Sequence, residues 1–105
     1  MQAFKEDGTF LCDVEKLEDF KRYIGLMFKK GIPSNEGLLL KLDSNSQYLH
    51  SFFVFFSFHA VFLDKDFRVE EEFIMRPFQV KKAKGEWVLE TTPKNIEQGE
   101  KLLIR

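Results

Sequence analysis

Two histidines, His50 and His59, and one cysteine, Cys12, are the first places to look for metal binding or nucleophilic chemistry in this chain of 105 residues. On one regular strand His50 and His59 differ in parity and would point to opposite faces, so a shared metal would need a bend between them. Cys12 is too distant to complete a spaced motif. Neither Cys-x-x-Cys nor His-Glu-x-x-His occurs, and no metal site is expected. His59 sits among Phe55, Ser57 and Val61, where a core or rim histidine bonded to backbone is the plainest account. Ser57 would share its face, but two neighbours on one strand do not make a nucleophile and its base. No catalytic residue is named. His50, His59 and Arg76 remain candidate ligand-binding residues at the mouth of a small barrel. Gly25, Gly31 and Gly37 punctuate turns and form no phosphate loop, so no cofactor is expected.

The charged residues point the same way. Glu70, Glu71 and Glu72 alternate across a strand, so at most Glu70 and Glu72 share a face, and a solvated strand explains them. Lys81, Lys82 and Lys84, with Lys29, Lys30 and Arg76, are the one basic concentration. With Phe78 and Trp87 nearby they could serve single-stranded nucleic acid by stacking and charge neutralisation. A formal net charge of −1, with 16 basic and 17 acidic residues, argues against that partner and against an anionic membrane. A lone cysteine excludes an intramolecular disulfide and suits a reducing compartment. The first eight residues carry no basic start and no long apolar run, and the apolar run Phe52 to Phe56 is far too short to span a bilayer. A cytoplasmic location is expected, with the oligomeric state open.

These side chains need elements to hold them, and the length suits a single β-rich domain over residues 1–105. Thirteen phenylalanines supply a dense core without staples, each able to bury roughly 150–250 Å². Asp7-Gly8 between short apolar runs predicts a hairpin, because both central positions need positive φ. Val14, Leu17, Phe20 and Ile24 recur at helical spacing behind Asp13, a possible N-cap, and Gly25 supplies a stop. Lys29 to Gly37 reads as a loop. From Tyr48 to Leu63 both alternating sets are apolar, which predicts a central strand covered on both faces and bent or broken once. Short strands follow over 67–75, 78–82, 87–90 and 99–104. The fold class is mainly β (α+β): a small barrel-like or sandwich sheet of short strands with one short helix near residues 14–24.

Longer stretches resemble a known family. Arg22-Tyr23-Ile24-Gly25-Leu26-Met27-Phe28-Lys29 resembles the Arg-x-x-Gly-Leu-Met-Phe-Arg signature of the family called domain of unknown function 192. The segment from His50 to Asp64 resembles its second block, His-Thr-Phe-Phe-Met-Arg-Phe-Pro-Ile-Asp-Val-Val-Phe-Leu-Asp. Val88-Leu89-Glu90 and Gly99-Glu100-Lys101-Leu102 resemble its closing pieces. The resemblance runs over residues 13–105 and implies a compact β-barrel-like fold with a small helix and no established activity. Phe55 and His59 stand where the family has Arg and Asp, Ser57 where it has Pro, and Phe67 where it has Gly. Losing both charges together reads as an ion pair exchanged for apolar packing. The function expected is that of a small non-catalytic binding or interaction module of unknown ligand. The alternatives are an enzyme with a loop-built site near His59 and a weak single-stranded nucleic-acid binder.

Overall fold

The computed structural model describes residues 1–17, 25–42 and 48–105. The hairpin forms at Asp7-Gly8, but not as a two-residue turn with positive φ at both positions: Gly8 has φ 93° and Asp7 does not share it. Gly8 N–H donates to Lys5 O at 3.0 Å and Lys5 N–H to Thr9 O at 2.9 Å, so Glu6 and Asp7 are the central turn residues and Gly8 the bulge that follows. Thr9 N–H donates to Asp7 Oδ1 at 2.8 Å. The turn joins β1 (Gln2–Lys5) to β2 (Phe10–Leu17) as an antiparallel pair. The other strands among the described residues are β3 (Glu36–Lys41), β4 (Tyr48–His50), β5 (Phe58–Leu63), β6 (Val69–Met75), β7 (Val80–Lys82), β8 (Trp87–Thr91) and β9 (Leu102–Ile104).

Seven of them form one sheet in the order β6-β5-β8-β3-β2-β1-β9, while β4 and β7 form a separate ribbon. Every pairing is antiparallel except β2 with β3, which run parallel with Asp13 opposite Glu36. The large sheet curls into a half-barrel whose two edge strands meet at one end. There Arg68 bridges to Lys101, Val69 N–H donates to Glu100 O at 2.7 Å and Leu102 N–H to Phe67 O at 2.9 Å. Curling brings the edges together and reduces the exposed ladder that invites aggregation.

The middle of the sheet is covered on both faces, which is why its strands read as unbroken apolar runs. All six residues of β5 are buried. Phe58, Ala60 and Phe62 pack with Leu38, Leu40, Met75 and Val88 on one face. Val61 and Leu63 pack with Leu39, Val69, Leu89 and Leu102 on the other. Each large side chain so placed contributes about 1.5–3 kcal/mol through burial.

Two expectations are corrected. No helix occurs among the described residues, and Val14 and Leu17 belong to β2. These two, assigned by their spacing to one helical face, contribute to the cores on opposite sides of the sheet, as an odd separation in a strand requires. Pairing with β1 on one side and β3 on the other outweighs a local helical pattern. Phe20, Ile24 and the remainder of that proposed helix lie outside the described residues. The second correction concerns Tyr48 to Leu63. Only its second half is the central strand; Tyr48–His50 forms β4 of the ribbon, and residues 51–57 cross the rim with Phe52, Phe53 and Phe55 exposed.

Candidate functional site

His59 on β5 is buried, and both its ring nitrogens are engaged. Lys94 N–H donates to Nδ1 at 3.1 Å. A backbone N–H can only donate, so Nδ1 accepts and the proton sits on Nε2. From there it is donated to Glu72 Oε1 at 2.9 Å. A neutral imidazole held this way ties β6 to the segment after β8, and neither nitrogen is free to meet a substrate. Ser57 is exposed in the loop before β5 and forms no dyad with it. Phe55, which the family pattern led us to place with His59 on one buried strand face, lies in that same loop and is exposed. The exchange of Arg for Phe at this position therefore created an exposed ring and added nothing to the core.

His50 and Arg76 do come to one rim, through Ser51. The Ser51 hydroxyl, fully buried, donates to Arg76 O and accepts from Gln79 N–H at 2.8 Å. Its backbone N–H donates to Gln79 O at 2.9 Å, and its carbonyl accepts from Phe78 N–H at 3.0 Å and Val54 N–H at 3.1 Å. The loop 51–57 is thus clamped to the turn 76–79. A third loop joins them where Phe28 N–H donates to Phe53 O at 2.9 Å.

On this clamped frame stands the feature that the sequence did not suggest. Phe28, Phe53, Phe55 and Phe78 are 68%, 48%, 61% and 53% exposed, and they touch one another. Phe28 and Phe53 stack at 5.4 Å and 23°; Phe78 stands edge-on to Phe53 at 6.1 Å and to Phe55 at 5.7 Å. Half-exposed rings of this size present roughly 400 Å² of contiguous apolar surface, within the range that marks functional patches on monomers. The backbone beneath them is strained. Among the described residues four non-glycine positions have positive φ, and all are phenylalanine: Phe28 (64°), Phe53 (61°), Phe67 (64°) and Phe78 (57°). A bulky residue there costs about 1–2 kcal/mol. Phe28 and Phe53 each fill the third position of a turn, closed by Lys29 N–H on Leu26 O at 3.2 Å and by Val54 N–H on Ser51 O, a position that glycine or asparagine fills without strain. Phe67, by contrast, is partly buried against Trp87 at 5.7 Å, and its left-handed backbone accounts for the glycine that the family pattern has there.

The ribbon continues this surface. Tyr48, Val80 and Lys82 are exposed, and His50 stacks on Phe52 at 5.1 Å and 26°. Lys81 and Lys84 reach instead to Glu71, at 2.8 Å and 3.3 Å, and the Lys81 ammonium bonded to Glu71 holds its carboxyl below the usual range. Glu71 and Glu72 are therefore committed to Lys81, Lys84 and His59, which refines the picture of a simply solvated strand.

Glu90 on β8 was also missed. It lies opposite Leu38 and Ala60, is 4% exposed, and burial pushes its carboxyl up to about 7. The visible signal was a carboxylate in the middle of the apolar strand Trp87–Thr91. Burial likewise raises the Cys12 thiol. A cleft of about 280 Å³ opens between β2, β3 and the loop at Lys29 to Pro33, but Asp13, Glu15, Glu36 and Lys29 around it include no nucleophile–base pair. No cluster of three metal-ligating side chains is found among the described residues, nor is any helix there long and apolar enough to cross a membrane.

Two crystal structures share the fold. A protein from Sinorhizobium meliloti, provisionally described as a transcription regulator, superimposes with a TM-score of 0.81 at 16% identity, covering 97% of this chain and 89% of that one. A protein of unknown function from Novosphingobium aromaticivorans gives 0.73 at 17%, covering 98% and 82%. At such identities the likeness speaks for the fold alone. No curated protein matches the sequence. The family description that matches is "Uncharacterized ACR", domain of unknown function 192, over residues 4–102. A match of that extent settles what the signature at Arg22 to Lys29 suggested: the chain belongs to the domain of unknown function 192 family.

Proposed function

We propose that this protein is a non-catalytic interaction module whose binding surface is the phenylalanine rim of Phe28, Phe53, Phe55 and Phe78. The observation that carries the reading is the coincidence of exposure with strain. Three of these rings are held in water on left-handed backbone, a conformation that costs stability and is retained where the surface has a use. Rings exposed merely by poor packing would gain nothing from a frame clamped by Ser51. The enzyme alternative near His59 finds little support, because both nitrogens of that ring are occupied within the protein. A reducing, cytoplasmic setting belongs to the same reading and is supported by the one cysteine, Cys12, a buried free thiol.

The test replaces Phe28, Phe53 and Phe78 together by Asn, which tolerates positive φ, and compares wild type and variant on a panel of immobilised probes: a single-stranded oligonucleotide, anionic vesicles, an acidic peptide and an amphipathic helix. Binding to one probe class that the variant loses, with the fold retained by circular dichroism, supports the reading. Equal behaviour of the two proteins on every probe overturns it, as does turnover of any substrate in a broad panel that His59→Ala abolishes.

A further inference from the structure

Resting on the reading of the rim as a binding surface, we propose that its ligand is single-stranded nucleic acid, held by bases stacking on the exposed rings and by phosphates meeting the lysines around them.

Charge is the first ground. The segments that build the rim and its ribbon, residues 25–30, 48–58 and 76–84, hold six of the 16 basic residues and none of the 17 acidic ones. The overall charge of −1 conceals this segregation. Glu71, from outside these segments, takes up Lys81 and Lys84. Lys29, Lys30, Arg76 and Lys82 are exposed and pair with no acidic side chain among the described residues. A polyanion is the complementary partner, and a second copy docking through the same rim would set these cations against each other.

Ring geometry is the second ground. Two nearly parallel pairs, Phe28 on Phe53 at 23° and His50 on Phe52 at 26°, are stacks that remain largely exposed, and a planar base can extend each of them. Base–aromatic stacking tolerates any sequence because every base has a π-face. Strain is the third. A fluid bilayer gains nothing from rings held at fixed spacing, whereas a chain of bases repeating along a backbone does. An acidic peptide supplies charge without the repeated flat faces. Rigid rings, clamped loops and unpaired lysines together fit a polymer that alternates anion and plane.

The experiment measures fluorescence anisotropy of a labelled oligothymidine of about 20 nucleotides across a salt series, with a duplex of equal length, dextran sulfate and vesicles containing phosphatidylserine as parallel probes. The expected result is binding to the oligothymidine in preference to the duplex. Phe28→Asn, Phe53→Asn and Phe78→Asn should each weaken it by roughly five- to a hundredfold, and Phe→Trp at the same positions should retain it. Lys29→Ala with Lys30→Ala should reduce the slope of log affinity against log salt by about 1.4, the value for two single-strand phosphates. Dextran sulfate bound as tightly, with the Phe variants unimpaired, overturns stacking. Vesicle binding lost in the Phe variants, without oligothymidine binding, overturns the nucleic-acid partner but leaves the interaction module standing. Binding to none of these probes overturns the nucleic-acid partner, and overturns the interaction module as well when the acidic peptide and the amphipathic helix also go unbound. Asn suits the left-handed backbone, so the variants are expected to fold; should one fail to, its Phe→Trp counterpart still decides by retaining or losing oligothymidine binding.

Discussion

At the scale of single residues, two side chains show how burial and backbone set behaviour that their identities alone do not. Glu90 keeps its proton to about pH 7 in the folded chain and would lose it near the ordinary 4.5 when unfolded. Between those values the folded state binds more protons, so stability falls as pH rises through the window and is level above it. The fall from this one group is on the order of 3 kcal/mol. Glu90→Gln should flatten this part of the pH–stability curve and raise the melting temperature at pH 8; denaturant titrations from pH 4 to 8 that superimpose for the two proteins would refute the assignment. Phe28 is the converse case, a residue whose own backbone opposes it. Phe28→Asn relieves the left-handed strain and loses one exposed stacking contact, two terms of similar size. Stability should be unchanged or higher by up to about 1 kcal/mol, and a loss beyond that in urea melts would mean that the ring supports the fold.

Among the elements, turns and clamps decide more than strand propensity. A Cβ on Gly85, at φ 75°, would lie 2.3 Å from Leu63 O, a backbone atom that cannot step aside. At Gly8, with φ 93°, it would meet nothing within 4 Å. Gly85→Ala should therefore cost more than about 3 kcal/mol, from overpacking added to strain, and Gly8→Ala about 1 kcal/mol from strain alone. Equal melting temperatures for the two variants would contradict this difference. Ser51 ties its loop to the turn 76–79 through a buried hydroxyl, and Ser51→Ala leaves Gln79 N–H and Arg76 O without it. A loss of about 1–3 kcal/mol is expected, together with faster amide exchange at Val54 and Phe78, whose N–H groups bond to the same residue.

The whole molecule is a curled sheet with a dry middle and a polar, aromatic rim. β5, β8 and β3 are hydrogen-bonded on both sides and covered on both faces, while the β4–β7 ribbon is short and largely exposed. Native-state hydrogen exchange should rank accordingly, with the central strands opening only by global unfolding and the ribbon opening at much lower free energy. Protection of β4 and β7 equal to that of β5 would show that the ribbon is integral to the folding unit. The segregation of charge belongs to this scale too. Cations from two separated stretches, 25–30 and 76–84, gather around rings that come from these and from 48–58, a stretch without lysine or arginine.

Composition and pattern by themselves determined that the fold is mainly β, that a hairpin forms at Asp7-Gly8, and that an interior strand lies somewhere within Tyr48 to Leu63. Local rules suffice there: a glycine where the turn needs a left-handed residue, alternation and a continuous apolar run each have a nearby physical cause. The signature at Arg22 to Lys29 also told its family. Tertiary structure alone decided that Val14 and Leu17 lie in a strand, because the partners that make it one, β1 and β3, act across the chain. It alone decided which phenylalanines are dry. Phe53 and Phe58 sit in the same apolar run, and only the path of the loop between two clamped turns turns the first to water and buries the second. Left-handed backbone at Phe28, Phe53 and Phe78 leaves no trace in a pattern of residue types, since phenylalanine does not mark such turns. Distant hydrogen bonds, Phe28 N–H to Phe53 O and Phe78 N–H to Ser51 O, dock the loops that hold it.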